Sequence, residues 1–345
     1  MEPTASLRLV RAILLALSFG LLMVILAVYF ERGFVPGDAL VYLAGGERLN
    51  AGHLLYALSP GDRIVGIKPP FWTVPILSPP FMAVLFRPLA LLPPDLGAYA
   101  WWLATMSAIA TTLAVLVRRV PILTSIAVLV LGVPLAYEIG VGNVNAFLLA
   151  GTIAIWFLAT HGHGRIAGVI AAFLVMVKIW PIALVLWLVV QRRWDSVQAG
   201  LVTAVVLGAV SILGAGLAAH LSYLQVIRDT TSAGTSDLSV AGIARYVGVS
   251  PGIAVFLPWV VFVGSCALAW LLRARPALSY LCAVVAMTLG SSVVNINTYA
   301  LLLAGLAPAA WPARDRIANA GPPEPGVRYP RDPEVEEVPG RVIER

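Results

Sequence analysis

Only two lysines occur in the chain, and one of them, Lys178, interrupts the apolar run Val175-Met176-Val177-Lys178-Ile179-Trp180-Pro181. A charge in such a setting costs a few kcal/mol on membrane-insertion scales, so an ionisable residue there tends to serve a site or a partner. Two readings follow: an ammonium that snorkels along its stem to an interface, or a cation that meets an anionic ligand such as a lipid phosphate. Asp38, in Pro36-Gly37-Asp38-Ala39-Leu40-Val41-Tyr42, also has two readings that do not exclude each other. It is a natural N-cap for a short interfacial helix that Gly52 would end, and it is suited to act as a general base at the membrane surface. Gly142-Asn143-Val144-Asn145 brings paired amides to the start of an apolar segment, where they would cap a helix or bind sugar hydroxyls. The stretch 234–246 joins Asp237 and the capping residue Ser239 to Arg245, which is either a solvated loop charge or a ligand contact. His161 and His163 fall in a turn after an apolar helix, and Cys266 and Cys282 lie inside apolar runs without metal-ligand spacing. Neither a paired-carboxylate motif, a nucleophile elbow nor a Gly-rich phosphate loop is present, and no metal or cofactor is expected.

The elements that must position these residues follow from composition. Of the 345 residues 60% are hydrophobic and 12% charged, against about 25% charged in a soluble domain. Apolar runs near 12–30, 96–117, 121–137, 144–160, 197–219, 251–272, 277–294 and 298–311 approach the ~20 residues that cross a bilayer. In hydrocarbon each must satisfy its own backbone hydrogen bonds, so the fold class is all-α, a polytopic transmembrane helical bundle. About ten to twelve membrane segments are expected, short or re-entrant helices included. The first run follows Arg8 and Arg11 and reads as an uncleaved span rather than a secretory leader. The net charge of +6 comes from arginines at the ends of apolar runs, among them Arg118, Arg119, Arg165, Arg192, Arg193, Arg273 and Arg275. That distribution reports membrane topology, not a nucleic-acid partner.

If those clusters are all cytoplasmic, the chain crosses an even number of times between them. Between Arg165 and Arg192 a pair of short segments broken at Lys178 satisfies that parity. From Lys68 to Pro94 the prolines at 69, 70, 75, 79, 80, 88, 93 and 94 exclude a continuous helix; broken or re-entrant helices are expected, with Arg87 near a cytoplasmic turn. The outer, extracytoplasmic face then collects the loop 31–70, Glu138 to Asn145, Lys178, the loop 220–250 and the turn Asn295-Ile296-Asn297. The transmembrane domain is placed at 1–312, and 313–345, rich in Pro, Asp, Glu and Arg, reads as a disordered cytoplasmic tail.

With these features in hand the chain resembles the bacterial polyprenol-phosphate-mannose-dependent mannosyltransferases of the GT-C superfamily, of the family 87 type. That group contains the α-(1,2)-mannosyltransferases of actinobacterial lipoglycan synthesis. The likeness runs from about 10 to 312 through Asp38 with Tyr42, Ala44, Leu49, Gly52 and Tyr56; Pro79-Pro80-Phe81; Pro88 to Pro93; Gly142 to Asn145; Ala167-Gly168 leading to Lys178 and Pro181; and Ser239 to Arg245. The family tends to Gly-Gln-Val-Asn where this chain has Asn143, and to Tyr-Pro-Pro where it has Ser78.

The resemblance implies a multi-pass cell-membrane glycosyltransferase with an outward-facing site between the loops 31–70 and 220–250. Its partners would be a polyprenyl-phosphate sugar donor, a glycolipid or glycan acceptor and membrane lipids. Asp38 would be the base, with Lys178, Arg245, Asn143, Asn145, Tyr42 and Asp237 binding donor or substrate. Phosphate leaves without protonation, so one carboxylate suffices for inverting transfer, unlike the pair common in glycoside hydrolysis. Lys178 and Arg245 would meet the charge developing on the departing phosphate. The alternative from another class is a transporter or flippase of a lipid or small solute, which predicts polar residues along a midplane path and internal repetition.

Overall fold

The structure is a computed structural model and describes residues 5–31, 35–65, 75–233 and 238–313. Lys68 with the first prolines of its stretch, Asp237, and the expected tail beyond Ala313 lie outside the described residues. Every regular element among the described residues is helical. The apolar helix α1 (Ala5–Glu31) buries only Ser18 and Leu22, and a short helix α2 (Gly37–Asn50) follows. After a loop come α3 (Pro80–Phe86) and a 3-10 turn at Leu89–Leu91. The long helices α4 (Pro94–Arg119) and α5 (Pro121–Val141) lead into α6 (Asn145–Thr160). Then follow α7 (Gly164–Val177), α8 (Ile182–Val190) and α9 (Trp194–Ala233). The small helices α10 (Val240–Tyr246) and α11 (Pro251–Ala254) precede α12 (Leu257–Leu271) and α13 (Pro276–Leu289). A 3-10 segment, Ile296–Leu306, runs into α14 (Ala307–Ala310).

Proline sets many of these boundaries. Helices α3, α4, α5, α11, α12, α13 and α14 each carry Pro in the first two positions, where its missing N–H has no intrahelical partner to lose. Glycine marks the sharp changes of direction. Gly216 breaks α9 with φ 80° and ψ 155°, and His220 collects the loosened groups, with Nδ1 2.9 Å from the Gly216 carbonyl and Nε2 2.9 Å from the Ser211 hydroxyl.

Among the described residues, five helices are long and apolar enough to cross a membrane: α1, α4, α5, the 194–229 part of α9, and 251–271. Four shorter apolar helices, at 145–160, 164–177, 276–289 and 296–310, pack among them. Their outward faces are apolar as well: Leu213 is 86% exposed, Val130 73% and Leu201 66%. A surface of that kind belongs against lipid, so the chain is an all-α polytopic membrane bundle. Helices α7 and α9 meet through small residues: a side chain at Gly168 would strike the Ser196 carbonyl, and one at Gly200 would sit 3.0 Å from the Gly168 carbonyl. This is how membrane helices approach when no hydrophobic gain drives them together.

The expected pair of short segments around Lys178 is present as α7 and α8, with Lys178 itself extended at φ −153° and ψ 133°. The expectation for Arg87 is corrected. Helix α3 has seven residues, about 10 Å of rise, too little to carry Arg87 across a bilayer. Instead Arg87 Nε donates to Asn50 Oδ1 at 2.8 Å, Asn50 Nδ2 returns a bond to the Arg87 carbonyl at 3.0 Å, and Arg87 Nη1 donates to the Gly214 carbonyl at 3.1 Å. Gly97 touches Leu43 and the Leu89 carbonyl, so Arg87 lies at the end of α4 that begins the helix, away from Arg118 and Arg119.

Candidate functional site

The site is built on the turn from α5 to α6. Helix α5 stops at Gly142, whose φ of 64° and ψ of 42° are left-handed and suit a residue without Cβ. Two indoles take up carbonyls at that end: Trp101 Nε1 donates to Gly142 O at 2.9 Å and Trp102 Nε1 to Ile139 O at 2.7 Å. The next helix begins at once, and its first N–H groups need acceptors. Asn143 Oδ1 accepts from Asn145 N at 2.9 Å, and Glu138 Oε1 accepts from Ala146 N at 2.8 Å. A carboxylate at a helix N-terminus also meets the positive end of its dipole.

The side-chain amides pass this order outward, and their orientation is forced. Lys178 has only donors, so its Nζ, 2.9 Å from Asn145, faces Oδ1. The Asn145 NH₂ must then face an acceptor, which is Glu138 Oε2 at 3.3 Å. Glu138 Oε2 also accepts from Asn297 Nδ2, at 2.8 Å, on the 3-10 segment. Because the Asn143 carbonyl oxygen is held by the backbone of Asn145, its NH₂ points the other way, to Asp38 Oδ2 at 2.5 Å. One polar chain thus runs from Asp38 through Asn143, Asn145 and Glu138 to Lys178 and Asn297. Glu138, Asn145 and Asn297 are each 1% exposed, Asn143 is 8% exposed, and Asp38 and Lys178 are half-buried.

Asp38 is not the cap of α2. The helix begins at Gly37 with Pro36 in the capping position and no side-chain cap bond. Asp38 lies in the first turn and spends Oδ2 on Asn143, while its Oδ1 holds no hydrogen bond among the described residues. Burial pushes its carboxyl above the usual aspartate range, with the Asn143 hydrogen bond and the Lys178 charge opposing the shift. The shift raises the affinity of this carboxylate for a proton. Tyr42, one turn further on, is 5% exposed. Burial, then the charges of Asp38 and Glu138, raise its phenol well above the ordinary range, so it stays protonated as a donor beside both carboxylates.

The Lys178 ammonium turns to Asn145. A narrow recess opens beside it, with Ser291 and Thr298 as its other polar residues and Trp180, Leu148 and Met287 among its apolar walls. Asp38, Tyr42, Asn143, Asn145 and Lys178 are therefore brought together. Arg245 is not joined to them: its Nε bonds the Ala241 carbonyl of its own helix at 3.4 Å. The segment before α10 is nevertheless tied to the site's 3-10 segment by Tyr299, whose hydroxyl donates to the Leu238 carbonyl at 2.7 Å. Ser239 is the N-cap expected of it, accepting from Gly242 N at 3.0 Å.

Glu138 and Asn297 were missed as site residues by reasoning from sequence. A signal existed for Glu138, the single acidic residue inside the apolar helix α5, which carries the same insertion cost that singled out Lys178. Two buried charges of opposite sign in one membrane bundle are expected to seek each other.

The profile of Glycosyltransferase family 87 matches residues 77–305. A polyprenol-phosphate-mannose-dependent alpha-(1-2)-phosphatidylinositol pentamannoside mannosyltransferase of Mycolicibacterium smegmatis (strain ATCC 700084 / mc(2)155) is 25% identical over 228 residues, 62% of this chain and 53% of that protein. The chain thus spans about half the length of the curated relative it matches. No solved structure matches.

Proposed function

Because the chain belongs to Glycosyltransferase family 87, we propose that this membrane glycosyltransferase moves a sugar, mannose by likeness to its relative, from a polyprenyl-phosphate donor to a glycolipid or glycan acceptor. Membership of an enzyme family sets the transporter alternative aside. Transfer is proposed to occur on the extracytoplasmic face with inversion at the anomeric carbon, within a domain of 1–312 whose outer segments 31–70 and 220–250 form the site; expected as loops, they carry helix α2, the end of α9 and α10.

The observation that carries the reading is the hydrogen-bonded chain that joins one carboxylate, Asp38, to one half-buried cation, Lys178, through two amides of fixed orientation. In the proposed step Asp38 Oδ1 takes the proton of the acceptor hydroxyl. The hydroxyl oxygen forms its bond to the anomeric carbon from the side opposite the phosphate, and the carbon–oxygen bond to phosphate breaks with its electron pair. Lys178 meets the charge left on that phosphate, and Arg245, on the helix that follows the Leu238 carbonyl bonded by Tyr299, is the proposed second cation. Tyr42 supplies a hydrogen-bonding group of the kind that orients a sugar, and Asn145, engaged by Lys178 and Glu138, positions the cation.

The test is transfer by the purified full chain from labelled polyprenyl-phosphate mannose to extracted membrane lipids, with the anomeric configuration of the product read by NMR. Product of inverted configuration, lost in Asp38→Asn, supports the reading. Retained configuration, or no transfer with any polyprenyl-phosphate sugar, overturns it.

A further inference from the structure

A second charged side chain is buried in α2, away from the network. Arg48 is 2% exposed, and its Nε and Nη2 are buried without a hydrogen-bond partner among the described residues. These two atoms form one edge of the guanidinium, the edge that grips both oxygens of a carboxylate or phosphate side-on. The acids nearby are already engaged. Asp62 accepts from Ser59 N through Oδ2 at 2.7 Å and is paired with His53 through Oδ1 at 2.6 Å, while Glu47 is paired with Arg63. A buried guanidinium lacking acceptors is costly, yet the backbone holds it rigidly in place. Gly46, two residues earlier, abuts the Phe86 carbonyl with no room for a Cβ, Asn50 and Arg87 exchange two hydrogen bonds, and His53 N donates to the Arg48 carbonyl at 2.9 Å.

We propose that Arg48 binds a second oxyanion, the phosphate of an anionic acceptor lipid. Position separates it from the donor phosphate. Asp38 and Arg48 stand ten residues apart on the same helix, about 15 Å along its axis. The donor phosphate is bonded to the carbon attacked by the hydroxyl that Asp38 activates, so it lies within a few bond lengths of Asp38 and cannot also reach Arg48. This assignment to the acceptor rests on the base role of Asp38. A headgroup phosphate at Arg48 with the lipid's glycan lying back along α2 would present a sugar hydroxyl to Asp38. The loop 51–65 returns to this end of α2 through the partly exposed pair Arg63 with Glu47, and is closed on itself by His53 with Asp62. Pairs of that kind are weak and can part to admit a headgroup.

Native mass spectrometry of the detergent-purified full chain tests the proposal, with phosphatidylinositol, uncharged diacylglycerol of the same acyl chains, and inorganic phosphate as probes. Wild type is expected to retain phosphatidylinositol over diacylglycerol, and Arg48→Gln to lose about tenfold or more of that preference, the equivalent of one charge-assisted bidentate contact. Arg48→Lys, with the charge but not the fork, should lose part of it. Equal retention by wild type and Arg48→Gln overturns the inference, and displacement of the lipid by inorganic phosphate reassigns the site to free phosphate. Arg48→Met guards against misfolding. A binding arginine without its ligand is a burden to the fold, so Met should leave the lipid-free melting temperature unchanged or higher. A fall in both Arg48→Met and Arg48→Gln makes Arg48 structural and overturns the proposal. Asp38→Asn should retain phosphatidylinositol as wild type does. Unimpaired transfer by Asp38→Asn sinks the base role and with it the assignment to the acceptor, while retention that ignores Arg48 sinks the oxyanion site and leaves the base role standing.

Discussion

Asn143 Nδ2 donates to Asp38 Oδ2 over 2.5 Å, joining α2 to the turn between α5 and α6 across 105 positions of sequence. The opposite end of the same amide accepts from the backbone of Asn145, so Asn143 presents a donor to Asp38 whatever the protonation of the carboxyl. A fixed donor favours the ionised carboxylate, the form a base requires.

Replacing Asp38 by Asn should lower turnover by about 10²- to 10⁴-fold, the usual contribution of a general base. Because Asp38 makes no cap bond and Asn can still accept from Asn143, the melting temperature should stay near that of wild type. Steady-state transfer rates beside thermal unfolding check both halves; near wild-type transfer would remove Asp38 from the chemistry.

The pH dependence follows from the raised carboxyl of Asp38. The base acts deprotonated, so the rate falls as pH drops through that raised value, and the acid limb should lie above the ~3.9 of an unperturbed aspartate. Asn143→Ala removes a hydrogen bond that lowers the value, which moves the limb further toward neutral pH. Profiles of kcat/KM for the two proteins provide the measurement, and superimposable acid limbs would deny the contact any influence on Asp38.

Lys178→Gln should cut kcat/KM for the polyprenyl-phosphate donor by about 10²- to 10³-fold, as loss of one donor to a developing oxyanion does elsewhere. Varying donor and acceptor separately reads the effect. An unchanged donor dependence in a well-folded variant would leave Lys178 with only its bond to Asn145.

Glu138 and Lys178 should prove coupled in stability. Removing either charge alone leaves the other buried and uncompensated, at about 3–5 kcal/mol. The double variant Glu138→Gln, Lys178→Met should cost clearly less than the two single changes together. Thermal unfolding of the four proteins closes the cycle, and simple additivity would show that the two charges do not sense each other.

Cysteines introduced at positions 38 and 192, with Cys266 and Cys282 replaced, should be labelled by a membrane-impermeant reagent from opposite sides. Labelling of both from one side would refute the outward-facing site.

The class of the protein was legible from composition and charge placement, since apolar segments of bilayer length have one way to satisfy their backbones. Lys178 was legible too: a lysine followed by Ile-Trp-Pro cannot continue an apolar helix, and the break between α7 and α8 falls there. Local rules also located Ser239 as a cap and Gly52, with φ of 74°, just beyond the end of α2. They went astray at Asp38, where the composition of a capping residue was present and the capping bond is not. At Arg87 the proline count identified broken helices but not the end of the bundle to which they return.

Only the tertiary structure decided how the polar residues combine. Glu138 reaches Asn297 across 159 positions and Lys178 reaches Asn145 across 33, separations over which helical periodicity carries no information. What a segment does by itself, whether it enters lipid, where it breaks and what it exposes, is set by short-range sterics and solvation and is written in consecutive residues. Which buried acid meets which buried amide depends on how helices stack. That is fixed by the fit of surfaces such as Gly97 on Leu43 or Gly168 on Ser196, and it exists only once the chain has folded.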